Sequence, residues 1–256
     1  MNNVPEFDRH RELFESAEFS FTEEQIEKFA ILTSHMRSEN EKFNLTAIKH
    51  TDEIIVKHYI DSLAPLIFNT LPQSSRIIDI GTGAGFPALP LLVAREDIKV
   101  DMLDATLKKT EYIKGTAALL RLGSRGTAYN GRAEDFAHDK SFREMYDVAV
   151  SRAVSSLRIL CEICLPFVRT GGVLIAYKSS GCEAEIEEAR PFLKAVGCAV
   201  SQCVEYALSE QGIHRQSDIP DDSELIRHSL VIVEKKKPMP KGFPRNYTKI
   251  AKCPIV

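Results

Sequence analysis

The sequence predicts an α/β protein: a mostly parallel sheet with helices on both faces, preceded by a helical N-terminal cap. Three observations lead there. From Arg76 onward, short apolar runs alternate with helical stretches, the pattern of a sheet wound by crossovers. The first such run, Arg76-Ile77-Ile78-Asp79-Ile80, passes into Gly81-Thr82-Gly83-Ala84-Gly85-Phe86-Pro87, which reads as strand, ligand-cradling loop and helix start. Ahead of it, the spacing of apolar residues is helical, and no Gly/Ser-rich linker separates the two regions.

Taken in order, Thr22-Glu23-Glu24-Gln25 has the form of a capping box and opens a helix toward Phe43, with Ile26, Phe29, Thr33, Met36 and Phe43 near one face. A second helix starts at Thr51 or Asp52, carries Ile55, Tyr59, Leu63 and Leu66, and offers His58, Asp61 and Ser62 on its polar face. Strands are expected near Ile77–Ile80, Lys99–Leu103, Gly126–Tyr129, Asp147–Ser151, Gly172–Tyr177, Ala199–Glu205 and Ser229–Glu234. Helices fall between them, near Pro87–Ala94, Leu107–Leu120, Arg132–Ala137, Ser156–Phe167 and Glu183–Val196. Right-handed crossovers would place these helices on both faces of the sheet. The expected organisation is a helical cap over 1–72, the α/β domain over 73–235 and a basic tail over 236–256.

Composition narrows the setting. The chain has 256 residues, 44% hydrophobic and 27% charged, and no apolar run near the roughly 20 residues of a membrane span. Met1–Arg11 is polar with both charge signs, unlike a secretory leader, so a cytoplasmic location is expected. Cys161 and Cys164 form one C-x-x-C amid Leu160, Ile163 and Leu165, which favours buried thiols over a metal or redox site. The net charge of −3 hides an asymmetry: Lys235, Lys236, Lys237, Lys241, Arg245, Lys249 and Lys252 occur in the last stretch without a single acid. Such a tail either meets a polyanion or is simply solvated; Phe243 and Tyr247 add rings on which a base could stack.

In an open α/β sheet, ligands bind beyond the carboxyl ends of the strands where the strand order reverses. Four loops qualify here. The glycine loop is the first. The second ends in Asp104, placed to accept ribose hydroxyls, with a helix cap as its competing role. The third, Asn130-Gly131-Arg132-Ala133-Glu134-Asp135, could meet an adenine edge or merely begin a helix. The fourth is Ser151-Arg152-Ala153, whose arginine could bind a carboxylate or phosphate or form an ordinary salt bridge. Lys178 follows another strand on the same rim. From Gly83 to Ala88 the loop also satisfies a dinucleotide pattern, but Asp79 just before it would repel a pyrophosphate and could hold an ammonium group. The charge logic selects S-adenosylmethionine as cofactor, with no metal. There is no Asn/Asp-Pro-Pro-aromatic loop and no Pro-Cys loop after the fourth strand, leaving acceptors that are already nucleophilic, such as guanine N7. Alignment then suffices and no general base is nominated.

Several segments together resemble one family: Asn44-Leu45-Thr46, His58-Tyr59-Ile60-Asp61-Ser62-Leu63, Asp79 to Pro87, Arg132-Ala133-Glu134 and Ser151-Arg152-Ala153. The chain is similar to the bacterial 16S rRNA guanine-N7 methyltransferases, formerly called glucose-inhibited division protein B. The resemblance implies a class I S-adenosylmethionine-dependent methyltransferase fold, Rossmann-like with a seven-stranded sheet, acting on a guanosine of 16S rRNA or the small ribosomal subunit. It implies cofactor contacts at Gly81, Phe86, Ala133, Glu134 and Arg152; Asp104 matches the family's acid, and Ala105 and Thr106 follow it in place of the more common Ser-Leu or Ser-Asn. With Asp79, Gly83 and Gly85 these form the expected cofactor set. Asn44 and His58 would pack over the methionine side of the crevice together with Asp61 and Ser62, and Asn44, His58, Lys178, Arg245 and Lys252 are the expected substrate contacts. The tail keeps Phe243-Pro244-Arg245, Lys252 and Pro254, but has Thr248 and Ile250 where the family commonly has glycine and proline. A methyltransferase of another substrate, or a non-catalytic ribosome-assembly factor on the same fold, are the rival readings.

Overall fold

The computed structural model describes residues 6–209, 211–215, 217 and 225–255; Val256 and the first five residues of the polar N-terminal stretch lie outside them. Each expected strand is present within a residue or a few: β1 (Arg76–Ile80), β2 (Lys99–Asp104), β3 (Gly126–Asn130), β4 (Tyr146–Arg152), β5 (Val168–Ser179), β6 (Cys198–Ser209) and β8 (Ile226–Lys235). One more, β7 (Gly212–Arg215), doubles back on β6, so among the described residues the sheet has eight strands in the order β3-β2-β1-β4-β5-β8-β6-β7. β1 to β5 pair in parallel, and β8 inserts antiparallel to both β5 and β6. The chain steps outward from β1 to β3, then returns to β4 on β1's other side. The strand order therefore reverses between β1 and β4, and the loops leaving these two strands flank the crevice.

Alternation along β1 divides the core. Ile77 faces one apolar cluster, while Ile78 and Ile80 face the other. The first cluster is closed by α5 (Ala88–Ala94), α6 (Leu107–Leu119) and the N-terminal helices. The second lies under α7 (Ala133–Phe136), α8 (Leu157–Cys164) and α9 (Glu183–Val196). Cys161 and Cys164 are buried in α8, and that burial pushes both thiols up.

The N-terminal region holds a helix that periodicity did not reveal, α1 (Phe7–Ser16), with only Leu13, Phe14 and His10 buried among polar neighbours. α2 (Glu23–Asn40) opens with the expected capping box. Its Gln25 does a second job: Nε2 donates to the carbonyls of Val93 and Ala94 at 3.0 and 3.1 Å, tying α2 to the end of the helix that follows the glycine loop. The second expected helix is not continuous. It runs as α3 (Thr51–Ile54), a π-helical segment Ile55–Ile60, and α4 (Ala64–Ile67). An aromatic chain of Phe14, Phe29, Tyr59 and Phe86, with successive ring centroids 4.5, 5.3 and 5.9 Å apart, links this cap to the glycine loop. Cap and sheet thus share one core.

The basic C-terminal stretch is packed, not loose. Met239 and Ile250 are buried in the second core, and α10 (Tyr247–Lys252) lies against α8, where Arg158 Nη1 donates to the Ile250 carbonyl at 2.8 Å. Among the described residues no helix is long and apolar enough to cross a membrane.

Candidate functional site

The glycine loop turns back over the end of β2. The N–H groups of Gly81 and Thr82 donate to Leu103 O at 2.8 and 3.2 Å. Gly81 has φ +72°, and a Cβ there would come within 2.5 Å of the Val154 side chain from the loop after β4, so the two crevice loops touch where only hydrogen fits. Gly83 has φ +61°, and a Cβ there would meet nothing nearer than 3.8 Å; its bare backbone faces open space. Pro87 caps α5 from just outside it, one residue earlier than a first-turn position.

Asp79 is 1% exposed beneath this loop. Its Oδ2 accepts from Ala88 N at 3.3 Å, whereas Oδ1, like the buried Thr82 hydroxyl, has no hydrogen-bond partner among the described residues. Burial pushes the carboxyl up to about 7, against the opposing pull of the Ala88 N–H and Arg152. Asp104 ends β2 with both oxygens engaged once: Oδ2 accepts from Gly83 N at 3.0 Å and Oδ1 from Thr106 N at 2.8 Å. The competing roles of Asp104 are therefore compatible. A carboxylate has about four acceptor sites, so fixing the loop and the start of α6 leaves capacity for ligand hydroxyls. Ala105 and Thr106 are exposed on the rim. Asn130 Nδ2 and Gly131 N both donate to Asp104 O at 3.1 Å, which brings the third loop, with half-exposed Ala133 and Glu134 in the first turn of α7, beside the second.

The fourth loop joins the cap. Arg152 Nη1 donates to Asp61 Oδ2 at 2.8 Å, and its guanidinium lies 5.2 Å from the centre of the Phe86 ring. His58 stacks on the same ring at 4.6 Å, and its Nε2 is 2.8 Å from Thr46 Oγ1. Burial, with Arg152 beside it, brings His58 down to about 4, so the ring is neutral near pH 7. Ser62 is buried and its carbonyl accepts from the Tyr177 hydroxyl at 2.7 Å. The π-helical segment and the turn after it thus bring His58 against Phe86 and Asp61 against Arg152, while Ser62 is buried against Tyr177.

The remaining expected contacts are distributed differently. Asn44 is exposed and lines a groove between α2 and residues 44–49. Lys178 is turned inward, its Nζ 2.7 Å from Glu185 and 3.0 Å from Ser155 O. Arg245 is likewise committed, with Nε and Nη2 on the two oxygens of Glu162 at 2.7 Å. Lys252 stands exposed on α10. Sequence reading missed Tyr206 and His228, which both meet Asp61 Oδ1 at 2.7 Å, and no local motif marks them because they lie 145 and 167 residues away.

A cofactor with an ammonium, a ribose and an adenine fits this donor and acceptor set. The unpartnered Asp79 and Thr82 oxygens, the open face of Gly83 and the spare acceptors of Asp104 lie along one crevice.

Both the fold and the sequence have counterparts among known proteins. The O-methyltransferase from Bacillus cereus, solved in complex with S-adenosylhomocysteine, has the same fold at a TM-score of 0.51, with 17% identity over 78% of this chain and 90% of that one. The small-subunit rRNA methyltransferase G of Clostridium beijerinckii is 38% identical over 94% of this chain and 95% of its own length. That of Desulfitobacterium hafniense is 35% identical over 91% and 90%. The family model for rRNA small subunit methyltransferase G matches residues 25–213. By these measures the chain belongs to the rRNA small subunit methyltransferase G family.

Proposed function

We propose that this protein transfers a methyl group from S-adenosylmethionine to N7 of a guanosine in 16S rRNA, within the cytoplasm. The observation that carries the proposal is the buried, half-satisfied Asp79 carboxylate under a glycine loop, in a chain of this family. When bound, the cofactor supplies an electrophilic methyl on a sulfonium. Asp79 and Thr82 would receive its ammonium, Asp104 its ribose, and the third loop its adenine. Arg152 would meet the carboxylate with the donors that Asp61 leaves free. Guanine N7 carries an exposed lone pair, so the chain's task is to hold the base in line and exclude water rather than to remove a proton. The uncharged His58 ring stacked on Phe86 would form one wall of that site.

The exposed lysines of the C-terminal stretch, Lys249 and Lys252 among them, would contact RNA phosphates. Arg158 of α8, just after the Arg152 loop, holds α10, which supports placing that contact near the crevice. The test is to map N7-methylguanosine in small-subunit rRNA from cells with and without this protein. Loss of one such mark without the protein, and its restoration in vitro by the purified chain with S-adenosylmethionine, is expected. An unchanged map overturns the proposal.

A further inference from the structure

Asp61 is 2% exposed, yet three donors converge on it. Arg152 occupies Oδ2, while the Tyr206 hydroxyl and His228 Nδ1 both occupy Oδ1. Burial by itself would raise this carboxyl, but His228, Arg152 and Tyr206 together hold it below the usual carboxylate range. Tyr206 on β6 and His228 on β8 are directly opposite in the antiparallel pairing, with rings edge-on at 5.8 Å. Neither makes a described contact with the glycine loop. They pin the far oxygen of a carboxylate whose near oxygen grips the arginine at the crevice.

We propose that Tyr206 and His228 are positioning residues for ligand binding: they lock the Asp61 carboxylate, and Asp61 in turn locks Arg152 over Phe86. Two donors on one oxygen remove the carboxylate's freedom to rotate, so the other oxygen keeps a fixed direction. Arg152 Nη1 is held by that oxygen, with the carbonyls of Lys57 and His58 at 3.4 and 3.3 Å behind it. Its Nε has no hydrogen bond among the described residues, and Nη2 beside it has only the 3.4 Å contact with His58 Nδ1, so that edge can receive an anionic group. A preset guanidinium loses less freedom on binding than a loose one. The inference rests on the cofactor reading above.

The test is calorimetric titration of the full chain with S-adenosylhomocysteine, alongside melting curves. His228→Ala and Tyr206→Phe should each weaken the Kd about tenfold, the scale of a lost hydrogen bond to a charged group. His228→Asn places an amide N–H where Nδ1 stood and should return the Kd to within about threefold of wild type. A purely structural role would lower Tm while leaving the Kd unchanged, and that result in Tyr206→Phe, which removes one oxygen atom, overturns the proposal. So does an Asn variant as weak as the Ala variant. Wild-type protein that fails to bind S-adenosylhomocysteine would instead remove the cofactor reading and the proposal with it.

Discussion

Asp79 offers a sharp test because its charge is unfavourable until a ligand arrives. Burial raises the carboxyl from the ordinary 3.8 to about 7. A carboxyl that binds its proton more tightly folded than unfolded stabilises the fold fully below pH 3.8. That contribution is lost progressively as pH rises through about 7. The span between those values is worth roughly 4 kcal/mol. Asp79→Asn keeps the shape and the acceptor for Ala88 N–H, but carries no charge to desolvate. The free variant should therefore be more stable than wild type at pH 8.5, by up to roughly 4 kcal/mol. In a chain of this size each kcal/mol moves Tm by about 2–4 °C. The advantage should shrink toward pH 5, where the wild-type carboxyl is largely protonated.

Ligand reverses the sign. An ammonium beside Asp79 favours the ionised carboxylate, so wild-type affinity for S-adenosylhomocysteine should rise from pH 6 to pH 8. The variant should bind weakly, with little contribution from this site to any pH dependence. Melting curves at pH 5.5, 7 and 8.5, with titrations at the same values, check both halves. A variant less stable than wild type at pH 8.5, with the two melting profiles running parallel in pH, would refute the reasoning.

Three further outcomes are expected. Asp104→Asn leaves one of the Gly83 and Thr106 N–H groups facing an amide N–H, so it should lower stability and cofactor affinity by about 1.5–3 kcal/mol each, read by melting and by titration. Lys249→Gln with Lys252→Gln should weaken RNA binding and reduce its salt slope by about one for each phosphate no longer neutralised, with cofactor Kd unchanged. Glu162→Gln leaves Arg245 without its charged partner over α8; it should destabilise by about 3 kcal/mol in denaturant titrations and loosen the C-terminal stretch to proteolysis.

The strand–helix alternation was legible because periodicity is a local property, and so were the glycine loop and Asp104, which lie at strand ends. The capping box at Thr22 was legible for the same reason; that Gln25 would also staple α5 was not, because that contact spans 68 residues. α1 escaped notice because its short apolar face is diluted by charges that find partners elsewhere, as Arg9 does on Asp52 at 2.6 Å. β7 is four residues long, and its pairing with β6 is a matter of hairpin geometry more than of composition. The π-helical segment has no composition of its own: Ile55–Ile60 keeps a helical apolar pattern while its backbone widens.

Charge was the property least legible from sequence, since counting it says nothing about where it is spent. Of the seven basic residues from Lys235 onward, Lys235 is fully buried between Glu144 and the carbonyls of Leu165 and Val168. Arg245 is held by Glu162. Two of the cations that make the tail look like a polyanion ligand thus fasten it to the body, while Lys241, Lys249 and Lys252 remain exposed. The same reassignment applies at the crevice, where Lys178 faces Glu185 and Arg152 is shared with Asp61. Anchoring and binding are successive uses of one charge pattern here: the paired cations set the surface from which the exposed ones can act. If so, variants of the paired residues should change stability first and RNA affinity second, and variants of the exposed lysines should change RNA affinity alone.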